Sequence, residues 1–268
     1  MSEELAELVR DLEDEQAALD ALVAALPADR WDLATPSPGW SIRDQISHLA
    51  FFDEVAKLAI VDPARFAEEV TQAFADLAVY EKGYIDRGRA RAPARVLAWW
   101  REARQALVEA LRPLDPRARL PWYGTPMNAR SFVTARLMET WAHGQDVADA
   151  LGIERRDTDR LRHIAFLGVR TRAHAYLLRG REAPSEPIRV ELTLPSGARW
   201  TDGDASAREV IRGTARDFCL VVTQKRHVQD TDLVVEGKTA AEWMLIAQAF
   251  AGPPGEGRKA GQFPKRRA

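Results

Sequence analysis

Ser131-Phe-Val-Thr-Ala-Arg-Leu-Met-Glu139-Thr-Trp-Ala-His143-Gly-Gln-Asp146-Val-Ala-Asp-Ala-Leu151-Gly152 is the stretch on which the fold turns. Ser131 suits an N-cap and Gly152 suits the residue after a last turn, so the stretch predicts one long helix over 131–151. Within it, Glu139 and His143 stand four residues apart and share one helical face, one turn from each other. That spacing can chelate one divalent metal ion. Asp146, three residues beyond His143, is placed to hydrogen-bond a ligating His or to be a plain helix carboxylate.

Towards the N-terminus the pattern stays helical. Leu5, Leu8, Leu12, Leu19, Leu22 and Leu26 recur at helical spacing over 3–26, and Pro27 ends that run. A loop from Ala28 to Trp40 holds Pro36, Pro38 and Gly39. Ser41, with Asp44 in the first turn, caps a second helix expected over 42–60. Further helices are expected over 64–86 and 93–113, the latter opened by Pro93. Residues 121–130 read as a loop before the long helix.

Beyond Gly152 another helix fits 157–179, and then the texture changes. Ile188 to Leu194 alternates as a half-buried strand does, and Ser196-Gly197 reads as a turn. Residues 198–201, 209–212, 218–223 and 233–236 are further strand candidates, and 239–250 returns to helix. The expected class is therefore α+β: a helical bundle over 1–155, then a connecting helix and a small α+β domain over 156–268.

Composition narrows the chemistry. The 268 residues hold 38 Lys+Arg against 40 Asp+Glu, which argues against a strongly basic nucleic-acid-binding domain. One Cys allows no internal disulfide and no Cys-based zinc or iron–sulfur site, so any metal must be held by His and carboxylates. The acidic start Met1-Ser2-Glu3-Glu4 lacks a signal peptide's basic and apolar regions, and no run approaches the roughly 20 apolar residues that span a bilayer. A cytoplasmic protein without membrane contact is expected, and Lys265-Arg266-Arg267 reads as a solvated tail.

Of the five His, His48 is the one that can join the pair on the long helix. It lies in Ile46-Ser-His-Leu-Ala-Phe-Phe52, with Ile42, Ile46 and Leu49 beside it, and so points near or into the bundle core. His48, Glu139 and His143 together would make the His2Glu set of metal sites that keep an open water position. On the residues alone, an exposed Glu–His pair and a core His bonded to a carbonyl fit the same pattern. His163, His174 and His227 read as surface or packing residues, with an anion contact as the sharper reading of His227. Cys219 reads as a small buried hydrophobe. Trp99, Trp100 and Trp141 read as packing residues.

Gly39-Trp-Ser-Ile-Arg-Asp-Gln-Ile-Ser-His-Leu-Ala50 resembles the second-helix signature of the DinB-like metalloproteins. More narrowly, it resembles the N-terminal domain of the mycothiol-dependent maleylpyruvate isomerase family. Glu139-Thr-Trp-Ala-His-Gly-Gln-Asp146 is similar to that family's fourth-helix motif. The resemblance covers roughly residues 5–151. It implies a four-helix bundle with His48, Glu139 and His143 as metal ligands and water completing the sphere. The family's catalytic Arg has no secure match: spacing from Pro93 puts Glu81 or Lys82 there, with Arg87, Arg89 and Arg91 close by. Arg216 to His227 and Ala247 to Pro254 resemble an actinobacterial DinB-like subfamily whose tail has been likened to a wyosine-formation domain.

What the resemblance implies about function is a metal-dependent isomerase or thiol transferase. Its ion would be Zn2+, with Ni2+ as the second choice, and mycothiol would be the cosubstrate. The alternatives are a hydrolase on the same site and a non-catalytic metal-binding stress-response module. The partners would be a small-molecule thiol and an acceptor the sequence does not name; a homodimer is compatible with it. Trp122-Tyr123-Gly124 to Arg130, just before the long helix, could supply aromatic and Arg groups near the ion or simply connect helices.

Overall fold

The computed structural model of the chain describes residues 2–263; Met1 and the basic tail Lys265-Arg266-Arg267 lie outside the described residues. The chain divides into two compact units, one up to Arg155 and one from Arg156 on.

The first unit is a helical bundle. It comprises α1 (Glu3–Val23), a 3-10 turn (Ala28–Asp32), α2 (Ile42–Val61), α3 (Pro63–Ala75), α4 (Leu77–Arg89), α5 (Pro93–Leu111) and α6 (Ala129–Leu151). Before α6, β1 (Arg119–Leu120) and β2 (Met127–Asn128) pair antiparallel across the loop that holds Gly124. The core follows from the apolar stripes: Leu19 of α1, Ile42, Ile46 and Leu49 of α2, Val96 and Trp100 of α5, and Val147 of α6 are fully buried in one cluster. Each such side chain contributes about 1.5–3 kcal/mol by leaving water.

Caps set where the two site-bearing helices begin. Ser41 and Asp44 form a reciprocal capping box at α2, each side chain bonded to the other's backbone. Helix α6 starts earlier than expected because Asn128, not Ser131, is its cap: Asn128 Oδ1 accepts from Ser131 N at 2.8 Å. It ends at Gly152 with φ +66°, a left-handed residue suited to glycine. The single helix expected over 64–86 is two. Asp76 accepts from the backbone N–H of Ala78 and Val79 and so starts a new helix where the old one would have continued. At Gly88, α4 approaches α2 so closely that a Cβ would lie 1.9 Å from Ser47 Oγ.

The second unit contains α7 (Leu161–Arg170), α8 (Arg172–Leu177), β3 (Ile188–Thr193), β4 (Arg199–Asp202), β5 (Glu209–Thr214), α9 (Ala215–Val222), β6 (Val234–Glu236) and α10 (Lys238–Ile246). Its sheet has the order β4-β3-β5-β6; β3 and β5 run parallel and the other pairs antiparallel. Along β3, Ile188, Val190 and Leu192 are buried and the residues between them are not, as the alternation predicted. The helix expected over 157–179 is broken at Thr171. Residues 218–223, expected as a strand, are helical instead: Thr214 Oγ1 accepts from Asp217 N at 3.0 Å and opens α9. Phe218, Cys219, Leu220, Val221 and Val222 are all buried, which is why the run looked like a core strand. Helix α9 packs tightly on α7, where a Cβ at Gly168 would meet Val222 Cγ2 at 2.8 Å.

Among the described residues, no helix is long and apolar enough to cross a membrane.

Candidate metal centre

Helix α2 turns Ile42, Ile46 and Leu49 into the core, which leaves His48 at the edge of that stripe, facing α6. Glu139 and His143 project from successive turns of α6. The structure brings these three residues together. Glu139 Oε2 lies 3.1 Å from His143 Nε2 and 3.5 Å from His48 Nε2. The imidazole centroids are 4.2 Å apart, and one ligand atom from each residue falls within 4.8 Å of the others. Donors around a tetrahedral ion at about 2.0–2.1 Å stand roughly 3.3 Å apart, so the set fits a small divalent ion. The side chains of His48, Glu139 and His143 keep 15, 18 and 13 % exposure, which leaves a side open to a small molecule.

Electrostatics suit the same role. Burial, with His143 close by, pushes the His48 imidazole down to about 3, so it is a neutral base at neutral pH. Burial alone would raise Glu139, but hydrogen bonds with His143 and His48 outweigh it and hold the carboxyl well below its usual range. A divalent ion needs its carboxylate ligand ionised and its imidazole ligands neutral.

The surroundings are aromatic and clamped. Trp40 stacks on His143 at 5.8 Å, and Phe52 lies 4.6 Å from the His48 ring. The Tyr84 hydroxyl is 3.4 Å from His48 Nδ1, and burial raises its pKa, so it keeps its proton. One turn further along the two helices, Arg136 of α6 donates twice to Asp53 Oδ1 of α2, at 3.1 and 2.8 Å. Both are buried, and breaking such a pair would leave an uncompensated charge.

Other residues singled out from the sequence fall elsewhere. Asp146 accepts from Ser37 Oγ at 2.7 Å and from Gln45 Nε2 at 3.4 Å; it is Gln45 Oε1 that meets His143 Nδ1, at 2.5 Å. Gln45 was missed, although a lone amide three residues before His48, within an apolar stripe, was a signal. Arg87 is bidentate to Glu54 and lies over Trp99, whereas Arg89 is bidentate to Asp44; these arginines bind α2 and α5 partners. Trp122 packs on Phe66 and Phe132. Tyr123 bonds the Tyr80 hydroxyl at 2.6 Å, and its ring lies 6.1 Å from Phe52. The preceding loop thus contributes an aromatic group to the wall beside His48.

His163 and His174 sit on α7 and α8, and His227 accepts from Gln229 N as a helix cap; none of the three is in the metal-capable cluster. Cys219, on α9, is fully buried, and burial raises its thiol pKa well above the usual value.

Fold and site define an α+β protein whose helical bundle carries a convergent His–Glu–His donor set. The profile of the mycothiol maleylpyruvate isomerase N-terminal domain matches residues 12–148, and the chain belongs to that family. Two uncharacterized proteins of Mycobacterium tuberculosis, MT0041 and Rv0036c, are each 50 % identical to it over 250 residues, 93 % of this chain and 97 % of theirs. The crystal structure of the mycothiol-dependent maleylpyruvate isomerase is similar in fold. The likeness covers 83 % of this chain and 90 % of that one, with a TM-score of 0.53 and 14 % identity.

Proposed function

We propose that this protein is a thiol-dependent metalloenzyme in which His48, Glu139 and His143 hold a divalent ion, Zn2+ in the first instance and Ni2+ in the second. The thiol is mycothiol, used as cosubstrate in an isomerisation or as donor in a transfer to an electrophilic acceptor. The observation that carries this reading is the convergence of three donors from two helices, each still partly exposed. Family membership and the names of the isomerase relatives support the choice of thiol.

A divalent ion at this site would lower the pKa of a bound thiol and orient it. The chain's own groups do the rest. Glu139 offsets one of the ion's two charges, and the neutral His48 imidazole adds none. Trp40, Phe52 and Tyr84 wall the site and exclude water from one side. The sulfur comes from outside, because the chain's only Cys is buried on α9.

Calorimetry with mycothiol against Zn2+-loaded and metal-stripped protein tests the reading. Binding to the loaded form alone is expected. Equal binding to both forms would contradict the ion's part. Turnover of an ester or amide without thiol would instead favour a hydrolase.

A further inference from the structure

We infer that Gln45 is a positioning residue: its side-chain amide fixes a proton of His143 on Nδ1 and so leaves Nε2 as the nitrogen presented to the shared point between His48 and Glu139. As a statement about metal binding this rests on the reading of the triad above; as a statement about the tautomer of His143 it does not.

The two ends of an amide differ only by what they can bond. One end of Gln45 faces Thr35 Oγ1 at 2.9 Å and Asp146 Oδ2 at 3.4 Å. Thr35 spends its only hydroxyl proton on the Trp40 carbonyl, at 2.9 Å, so towards Gln45 it can only accept. Asp146 takes the Ser37 hydroxyl proton at 2.7 Å, and a carboxylate is itself only an acceptor. Two acceptors demand the NH2 end. The carbonyl end therefore faces His143 Nδ1, at 2.5 Å, and that nitrogen must carry the hydrogen. With Nδ1–H committed to Gln45, Nε2 is the nitrogen turned to Glu139, 3.1 Å from Oε2, where it donates to the carboxylate while it carries a proton and offers its lone pair to an ion once that proton is lost.

The chain of dictation thus runs from Ser37 and Thr35, in the loop before α2, through Asp146 and Gln45 to the ligating nitrogen. Gln45 and Asp146 are fully buried, so water cannot substitute for either. The same loop carries Trp40, which stacks on the His143 ring. Orientation and tautomer are therefore set from one segment. Outer partners of ligating histidines characteristically change metal affinity about 10–100-fold when lost.

Long-range 1H–15N correlation NMR of the metal-free protein reads the tautomer directly. A protonated Nδ1 is expected at His143; an unprotonated Nδ1 would overturn the inference without any variant. Gln45→Met keeps the bulk and removes the acceptor. Asp146→Asn touches neither ion nor ligand but lets the Gln45 amide turn over. Both variants are expected to show mixed tautomers and about 10–100-fold weaker Zn2+ binding. Unchanged tautomer and affinity in folded Gln45→Met would refute the role. If the parent protein itself bound no Zn2+, the metal reading would fall, and the NMR result alone would decide Gln45.

Discussion

With His48, Glu139 and His143 proposed to hold one ion together, replacing any one by Ala is expected to weaken Zn2+ retention by more than the roughly 100-fold that losing an outer partner brings. Equilibrium dialysis with metal analysis checks this, and a cooperative thermal melt for each variant shows that the fold survived. Glu139 and His143 were legible because both lie on one helix, where spacing alone fixes the shared face. His48 needed an apolar stripe to orient it. Gln45 shows in the sequence only as a lone amide in an apolar stripe; its role depends on Thr35 and Asp146, and through Asp146 on Ser37, which only folding brings together. A second site of interest at this scale is Asp20. Its hydrogen bond from Arg101, with Arg104 beside it, holds the carboxyl below its ordinary value against the opposing effect of burial. A carboxyl depressed on folding stabilises above its unfolded pKa of about 3.9, and that contribution is lost as pH falls through the lower folded value. Asp20→Asn is therefore expected to flatten the acid limb of a stability–pH curve while leaving its dependence between pH 6 and 8, as a rough window, unchanged. An unaltered acid limb would contradict the assignment.

At the scale of elements, the close approach of α4 to α2 at Gly88 holds Tyr84 beside His48. A Cβ at residue 88 would meet Ser47 Oγ at 1.9 Å and Ser47 Cβ at 2.5 Å. Gly88→Ala is expected to cost about 1–3 kcal/mol in urea unfolding, and Ser47→Gly in the same chain to return most of it. An equal loss with Ser47 present or removed would show that the contact is not the cause. Elements are legible where an end signal agrees with the pattern, as with Pro27 after α1, the Ser41 cap of α2 and Pro93 at the start of α5. They were misread where a local cap competed with a longer pattern. Asp76 splits what looked like one helix, and Thr214 with Asp217 starts α9 in a run of apolar residues that also fits a strand. In both places the capping residue stands in the sequence, and the apolar periodicity that runs through it masks it.

At the scale of the whole chain, the α+β class was legible from periodicity, helical up to about residue 179 and strand-like from Ile188. The parallel pairing of β3 with β5 was not, since sheet order depends on contacts far apart in sequence. The bundle supplies the site, and the family profile lies within it, at residues 12–148. The proposed chemistry requires a metal ion at the meeting point of α2 and α6. The most direct measurement is an anomalous difference map from crystals of the untagged chain grown with Zn2+ and recorded across the zinc edge. One strong peak per chain is expected, about 2.0–2.1 Å from His48 Nε2 and His143 Nε2 and about 2.0–2.2 Å from Glu139 Oε2. No peak there at saturating Zn2+, or a peak held by other side chains, would contradict it.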